Sequence, residues 1–173
     1  MFQARGPRPV SLVLGLRENP VANLELRFPP PFVALVTIVL MWLLSHTLPK
    51  TNAFGTTRIP VAMGLAILGA AFAVSGATQF KRAQTTVNPR RPEGTSILVT
   101  NGIYRITRNP MYVGLMLVLM GWAAFLASPV SLGGVVAFIA YITRFQIKPE
   151  ERILLEKFGE EYRTYILGRR RWI

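Results

Sequence analysis

Four apolar runs dominate this sequence and limit what it can fold into. Residues 32–48 and 59–80 contain 17 and 22 residues without a formal charge. A helix needs about 20 predominantly apolar residues to cross a bilayer, so each is a candidate span. Residues 111–127 and 130–147 form a second pair, separated only by Ser128 and Pro129 and carrying one charge, Arg144, near their end. That spacing predicts a tight helical hairpin. Ala62, Ala66 and Ala70 recur four apart and Gly114 and Gly121 seven apart, which predicts helices that approach closely where lipid supplies no hydrophobic drive. The expected fold is all-α: a single integral membrane domain over residues 1–173 with about four transmembrane helices.

The basic residues give that bundle a direction. Four Lys and Arg precede the first run, two lie between the first and second, six between the second and third, none at the hairpin tip, and seven after Ile147. The positive-inside rule then places the N-terminal segment (1–31), the central loop (81–110) and the C-terminal segment (148–173) together on the cytoplasmic side. The net charge of +12 reads as an orientation signal, with membrane lipids and no nucleic acid as partners. Residues 1–31 show scattered Pro and charge in place of the compact apolar core of a signal peptide. With no cysteine, no Asp and a single His, His46, the chain cannot build disulfides, thiolate zinc sites or a Ser-His-Asp triad, and no metal site is expected.

The chemistry is therefore sought in the two cytoplasmic pieces after the second run. The 30-residue loop 81–110 is longer than a connection needs, and Ile97, Leu98, Val99, Ile103 and Tyr104 make it too apolar for a free linker. The C-terminal piece opens on Pro149, Glu150 and Glu151, a helix start. Leu154, Leu155, Phe158, Tyr162, Tyr165 and Ile166 then follow at helical spacing, predicting an amphipathic helix that lies on the membrane or on the loop. By pattern alone Glu150 and Glu151 fit helix-dipole caps, Arg144 a snorkelling anchor, and Asn109-Pro110 an N-cap followed by a first helical residue.

Taken together, "LVTNGIYRITRNPMYVG", an apolar hairpin, "EERILLEKFGEEYRTYI" and the ending "RRRWI" resemble the isoprenylcysteine carboxyl methyltransferase family, which is related to the phospholipid N-methyltransferases. The resemblance runs from about Thr85 to the C-terminus, and "TTVNPRRPE" resembles the preceding segment of bacterial members. It implies a multi-pass protein of the bacterial inner membrane that transfers a methyl group from S-adenosylmethionine to a lipophilic acceptor entering from the bilayer. Carried over by position, Ser96, Ile97, Leu98, Val99, Tyr104, Asn109, Pro110, Met111 and Tyr112 line the cofactor, with Glu150 and Glu151 opposite. Two positions depart from the pattern. Asn109 and Ser96 stand where the family has His, and an Asn removes any titration near neutral pH. Methyl transfer is an in-line displacement, and a carboxylate acceptor arrives already ionised, so Arg144 is the expected bidentate grip and Glu150 and Glu151 the other catalytic groups. The rival readings are an NADPH-dependent reductase of the sterol type, which has a similar motif, and a non-catalytic lipid-binding protein on the same scaffold.

Overall fold

The structure, a computed structural model, describes residues 25–47, 55–83 and 96–173; the segment 84–95 and the positions Lys50, Arg90 and Asn52 lie outside them. Among the described residues the chain is helical throughout, apart from connections and one isolated bridge. Helix α1 is Pro30–Ser45, α2 is Arg58–Arg82, α3 is Pro110–Leu126, α4 is Pro129–Ile142 and α5 is Lys148–Gly168. The four apolar runs match α1 to α4 within a few residues. Among the described residues two helices are long and apolar enough to cross a membrane, the one containing α2 (Gly55–Arg82) and the one containing α4 and α5 (Pro129–Gly168), while α1 and α3 are apolar but shorter.

The α2 and α3 helices pack antiparallel, backbone against backbone. A Cβ added to Gly114 would sit 2.5 Å from the Gly69 carbonyl oxygen, and one added to Gly121 2.8 Å from that of Ala62. No side chain fits there, so the glycines are required by the approach itself. The small-residue stripe is shifted from its expected place. Ala62 and Ala66 face α3, but Ala70 is exposed, and the contact one turn on is made by Gly69 and then Gly76. Seven-residue spacing, 62 to 69 to 76, keeps a residue on the seam, whereas steps of four drift off it. The Trp122 indole crosses to α1 by donating to the Ile38 carbonyl at 3.1 Å.

The hairpin is as tight as the sequence suggests. Helix α3 closes on Ala127 in the left-handed region, φ 51°, and Pro129 starts α4 two residues later, where its missing N–H costs nothing. Two features differ from expectation. Pro149 does not break the chain's path, because a π turn at Thr143–Ile147 precedes it and the Lys148 N–H reaches back to the Thr143 carbonyl, letting α4 run on into α5. The C-terminal helix stops at Gly168 and is kinked at Gly159, φ 53°, where glycine alone is unstrained. The five remaining residues form a non-helical tail that leaves α5 at Arg169.

Because α2 and α3 meet at bare backbone, Gly114→Val should lower stability by about 1–3 kcal/mol. Gly64 has open space around its Cα, and Gly64→Ala should be neutral or gain up to about 1 kcal/mol. Denaturation of the two variants in the same detergent checks both, and similar midpoints would refute the close crossing.

Candidate functional site

The start of α3, the end of α4 and all of α5 meet at one end of the bundle, together with the short 3₁₀ turn Gly102–Arg105. The turn is held against α2 at Gly102, φ 61°, where a Cβ would collide with the Gln79 side chain, and by Tyr104, which meets Phe80 edge-on at 5.5 Å between ring centroids. Tyr104 is buried, and its carbonyl accepts from the Tyr165 hydroxyl at 2.8 Å. Loop, second helix and C-terminal helix are thereby joined through one aromatic residue.

Two carboxylates stand side by side at the start of α5 and do different things. Glu150 accepts a hydrogen bond of 2.5 Å from the hydroxyl of buried Tyr112. Burial is the main influence on its carboxyl and pushes it up to about 8, against the lowering effect of the Tyr112 bond and with a further rise from neighbouring Glu151. Glu151 is instead gripped from two sides. Arg108 approaches Oε1 at 3.0 Å, and Arg171 forms a fork, Nε to Oε1 at 3.0 Å and Nη2 to Oε2 at 2.6 Å. Side-chain exposures of 11% for Arg108 and 18% for Glu151 make this a largely buried pair, in which loss of either partner strands a charge. Arg108 Nε is buried and has no hydrogen-bond partner. Burial also raises the phenols nearby, Tyr165 to about 12, and Tyr104 and Tyr162 further.

The tail seals this end. Thr107 and Arg170 form a parallel bridge, and the Arg108 N–H donates to the Arg170 carbonyl at 3.0 Å. The Asn109 amide donates to the Arg171 carbonyl at 2.9 Å, and the Trp172 indole reaches the Thr143 hydroxyl at 3.2 Å. Asn109 does occupy the N-cap position of α3 with Pro110 first in the helix, but its side chain makes no cap and fastens the tail instead.

The expected site residues divide accordingly. Tyr104, Tyr112, Glu150 and Glu151 come together, with Asn109 at their edge. Pro110 and Met111 pack onto α2 at Gly76. Ser96 and Ile97 are exposed and Leu98 and Val99 half-buried where the described part of the loop begins. Arg144 takes another partner: Nη1 lies 3.0 Å from Glu25, whose second oxygen holds Arg152 at 2.7 Å. The residues not foreseen are Arg108, Arg171, Thr107 and Tyr165. Arg108 stands inside the Arg-Asn-Pro triplet, and Arg171 inside the basic-aromatic ending, so both lay within motifs whose contacts only folding defines.

The phospholipid methyltransferase family pattern matches residues 57–161, well over half of the chain and spanning α2 through the first part of α5. The chain belongs to the phospholipid methyltransferase family. Among its relatives, an uncharacterized protein of Haemophilus influenzae is 44% identical over 63 residues, 36% of this chain and all of that protein. Protein-S-isoprenylcysteine O-methyltransferase A of Arabidopsis thaliana is 39% identical over 71 residues, 39% of this chain and 34% of that one. Methanethiol S-methyltransferase of Pseudomonas deceptionensis is 35% identical over 119 residues, 66% of this chain and 42% of that one. The chain thus spans less than half the length of either named methyltransferase. No solved structure matches it. The matched family segment contains Arg108, Tyr112, Glu150 and Glu151 but stops short of the tail that completes the Glu151 pair.

The two glutamates should separate on mutation. Glu151→Gln leaves Arg108 and Arg171 without their carboxylate and should cost about 2 kcal/mol of stability while exposing the tail to carboxypeptidase. Glu150→Gln removes no ion pair and should leave stability and tail protection near wild type. Equal losses in the two variants would show that the assignment is wrong.

Proposed function

We propose that the chain is a four-span membrane methyltransferase that takes a methyl group from S-adenosylmethionine and gives it to a lipophilic acceptor arriving from the bilayer. Its site and both termini face the cytoplasmic side of a bacterial inner membrane. The observation that carries this reading is the convergence of Tyr112–Glu150 and Arg108–Glu151–Arg171 at the bundle end where the polar loop meets the hairpin. Family membership supports methyl transfer, and the chemistry of the groups supports the donor. S-adenosylmethionine offers ribose hydroxyls and a cationic amine and sulfonium, which suit the Glu150 carboxyl, and a carboxylate, which suits the unpartnered Arg108 Nε. Tyr104, Asn109, Pro110, Met111, Tyr112 and the stretch 96–99 form its surroundings in this reading.

The bound sulfonium supplies an electrophilic methyl group. The protein's part is to hold donor and acceptor in line and to keep water away, and a deprotonated acceptor such as a carboxylate asks for no base. With its carboxyl pushed to about 8, Glu150 is mostly neutral at pH 7 before the donor binds, and once ionised beside the donor its charge is balanced by the donor's cationic groups. Arg144 pairs with Glu25 and is assigned no part in the transfer.

Length supports four spans. The 16 residues of α1 and 17 of α3 give rises of about 24–26 Å, close to a hydrocarbon core of about 30 Å, and modest thinning or flanking residues cover the difference. On α5, Leu154, Leu155, Phe158, Tyr162, Tyr165 and Ile166 are buried or half-buried, whereas Glu156, Lys157, Glu160, Glu161 and Arg163 are exposed. That division supports an amphipathic helix on the cytoplasmic face.

Three measurements test the reading. Labelled methyl transfer, followed into lipid, protein and small-molecule fractions, should place label in a lipophilic product; no transfer to any fraction would sink it. A cation bound beside Glu150 favours the ionised carboxyl, so binding releases a proton. S-adenosylmethionine affinity should therefore rise with pH and level above about 8. Glu150→Gln should flatten that profile and weaken binding by about 1.5–3 kcal/mol. For topology, single cysteines at Thr56 and Gly168 should be labelled from opposite sides of the membrane, and labelling from the same side rules out four spans.

A further inference from the structure

At the same end of the bundle, but between α1 and α4, lies a groove of about 330 Å³ lined by Phe28, Phe32, Val33, Thr37, Phe138 and Tyr141, among others. Its position is fixed by a strap that precedes α1. The Leu26 N–H donates to the Phe145 carbonyl at 2.9 Å, and the Gln146 amide to the Phe28 carbonyl at 2.6 Å, so residues 25–28 lie across the π turn. The groove walls are apolar for a structural reason. The Thr37 hydroxyl is spent on the Val33 carbonyl at 2.8 Å, and Phe28 stacks on Phe32 at 5.9 Å. Phe32, 50% exposed, and Val36 leave one side open toward the surrounding bilayer. Such a space has little to offer water and fills with hydrocarbon.

Its mouth is cationic. The exposed Arg27 guanidinium lies 5.9 Å over the Phe28 ring, and Phe28 is part of the groove wall. Arg144 lies 5.5 Å over Phe145, whose ring meets groove-lining Tyr141 at 4.8 Å. Arg152 completes the cluster, and among the described residues Glu25 is the carboxylate that holds Arg144 and Arg152, its own carboxyl kept below the usual range first by the hydrogen bond from Arg152. Arg144 and Arg152 share the one carboxylate of Glu25, which leaves an excess of positive charge at the end of a hydrocarbon-lined slot, with Arg27 beside it over the Phe28 ring. We propose that the α1–α4 groove holds one acyl chain of an anionic phospholipid of the surrounding bilayer, with the lipid phosphate lodged between Arg27 and Arg144. The Arg144 pair with Glu25 uses Nη1, and the planar fork has further donors for a phosphate oxygen. The site is separate from the Glu150 cluster and does not depend on the methyl-transfer reading.

The full chain, purified in detergent, is incubated with equal amounts of phosphatidylglycerol and phosphatidylcholine of matched chains, and the retained lipid is counted by native mass spectrometry. Wild type should retain at least fivefold more phosphatidylglycerol. Arg27→Gln combined with Arg144→Gln should bring the ratio near one, because the chain slot persists without its anchor. Ala137→Phe, at an exposed position in the groove wall, should lower total retention at least fivefold with an unchanged melting midpoint. A wild-type ratio near one, or a folded Ala137→Phe protein with wild-type retention, overturns the proposal. A phosphatidylglycerol with a photoreactive chain end tests it without any variant. Adducts in residues 28–37 and 137–141 support the site, and adducts spread evenly over the exposed faces of the helices refute it.

Discussion

The close crossing of α2 and α3 is the contact on which the rest of the structure depends. With Gly69 and Gly114 touching through their backbones, the two helices cannot slide or rotate without a clash, and both their ends are set. At one end this fixes Gly76 against Pro110 and Met111, so the first turn of α3 starts at a defined height beside the last turns of α2. Tyr112 follows from that height, and so does the short turn that carries Tyr104 onto Phe80. The polar motif stands on a rigid apolar base, which holds its side chains in fixed positions.

Above that base the two adjacent glutamates divide the work between structure and chemistry. Glu151 is spent on Arg108 and Arg171, and through Arg171 it holds the last residues of the chain over the loop. Glu150 is left with a single phenol and a carboxyl raised by burial. A charge with two partners is a poor candidate for ligand exchange, while a neutral, partly buried carboxyl gains by meeting a cation. Asn109 supports the first role: its amide is a constant donor to the Arg171 carbonyl at any pH.

The π turn at Thr143–Ile147 links the two halves of this end of the bundle. By inserting one extra residue before Pro149 it lets α4 continue into α5, and it presents Phe145 and Gln146 to the strap ahead of α1. The same five residues carry Arg144 toward Glu25 and Thr143 toward Trp172. The candidate methyl-transfer site and the α1–α4 groove therefore flank one short irregular segment.

The sequence by itself determined the four helices and the hairpin, because each follows from local composition: uninterrupted apolar length and a Ser-Pro turn. It also marked Tyr104, Tyr112, Glu150 and Glu151, which lie in compact motifs. The tertiary structure alone decided their partners. Arg108 and Arg171 are 63 positions apart yet share one carboxylate, and Arg144 and Glu25 meet from opposite ends of the chain. The shift of the seam from Ala70 to Gly69 has the same origin, since periodicity tells which residues can share a face and only the packed neighbour decides which of them do. Ion pairs and backbone crossings are contacts between segments distant in sequence, and no local pattern encodes the partner.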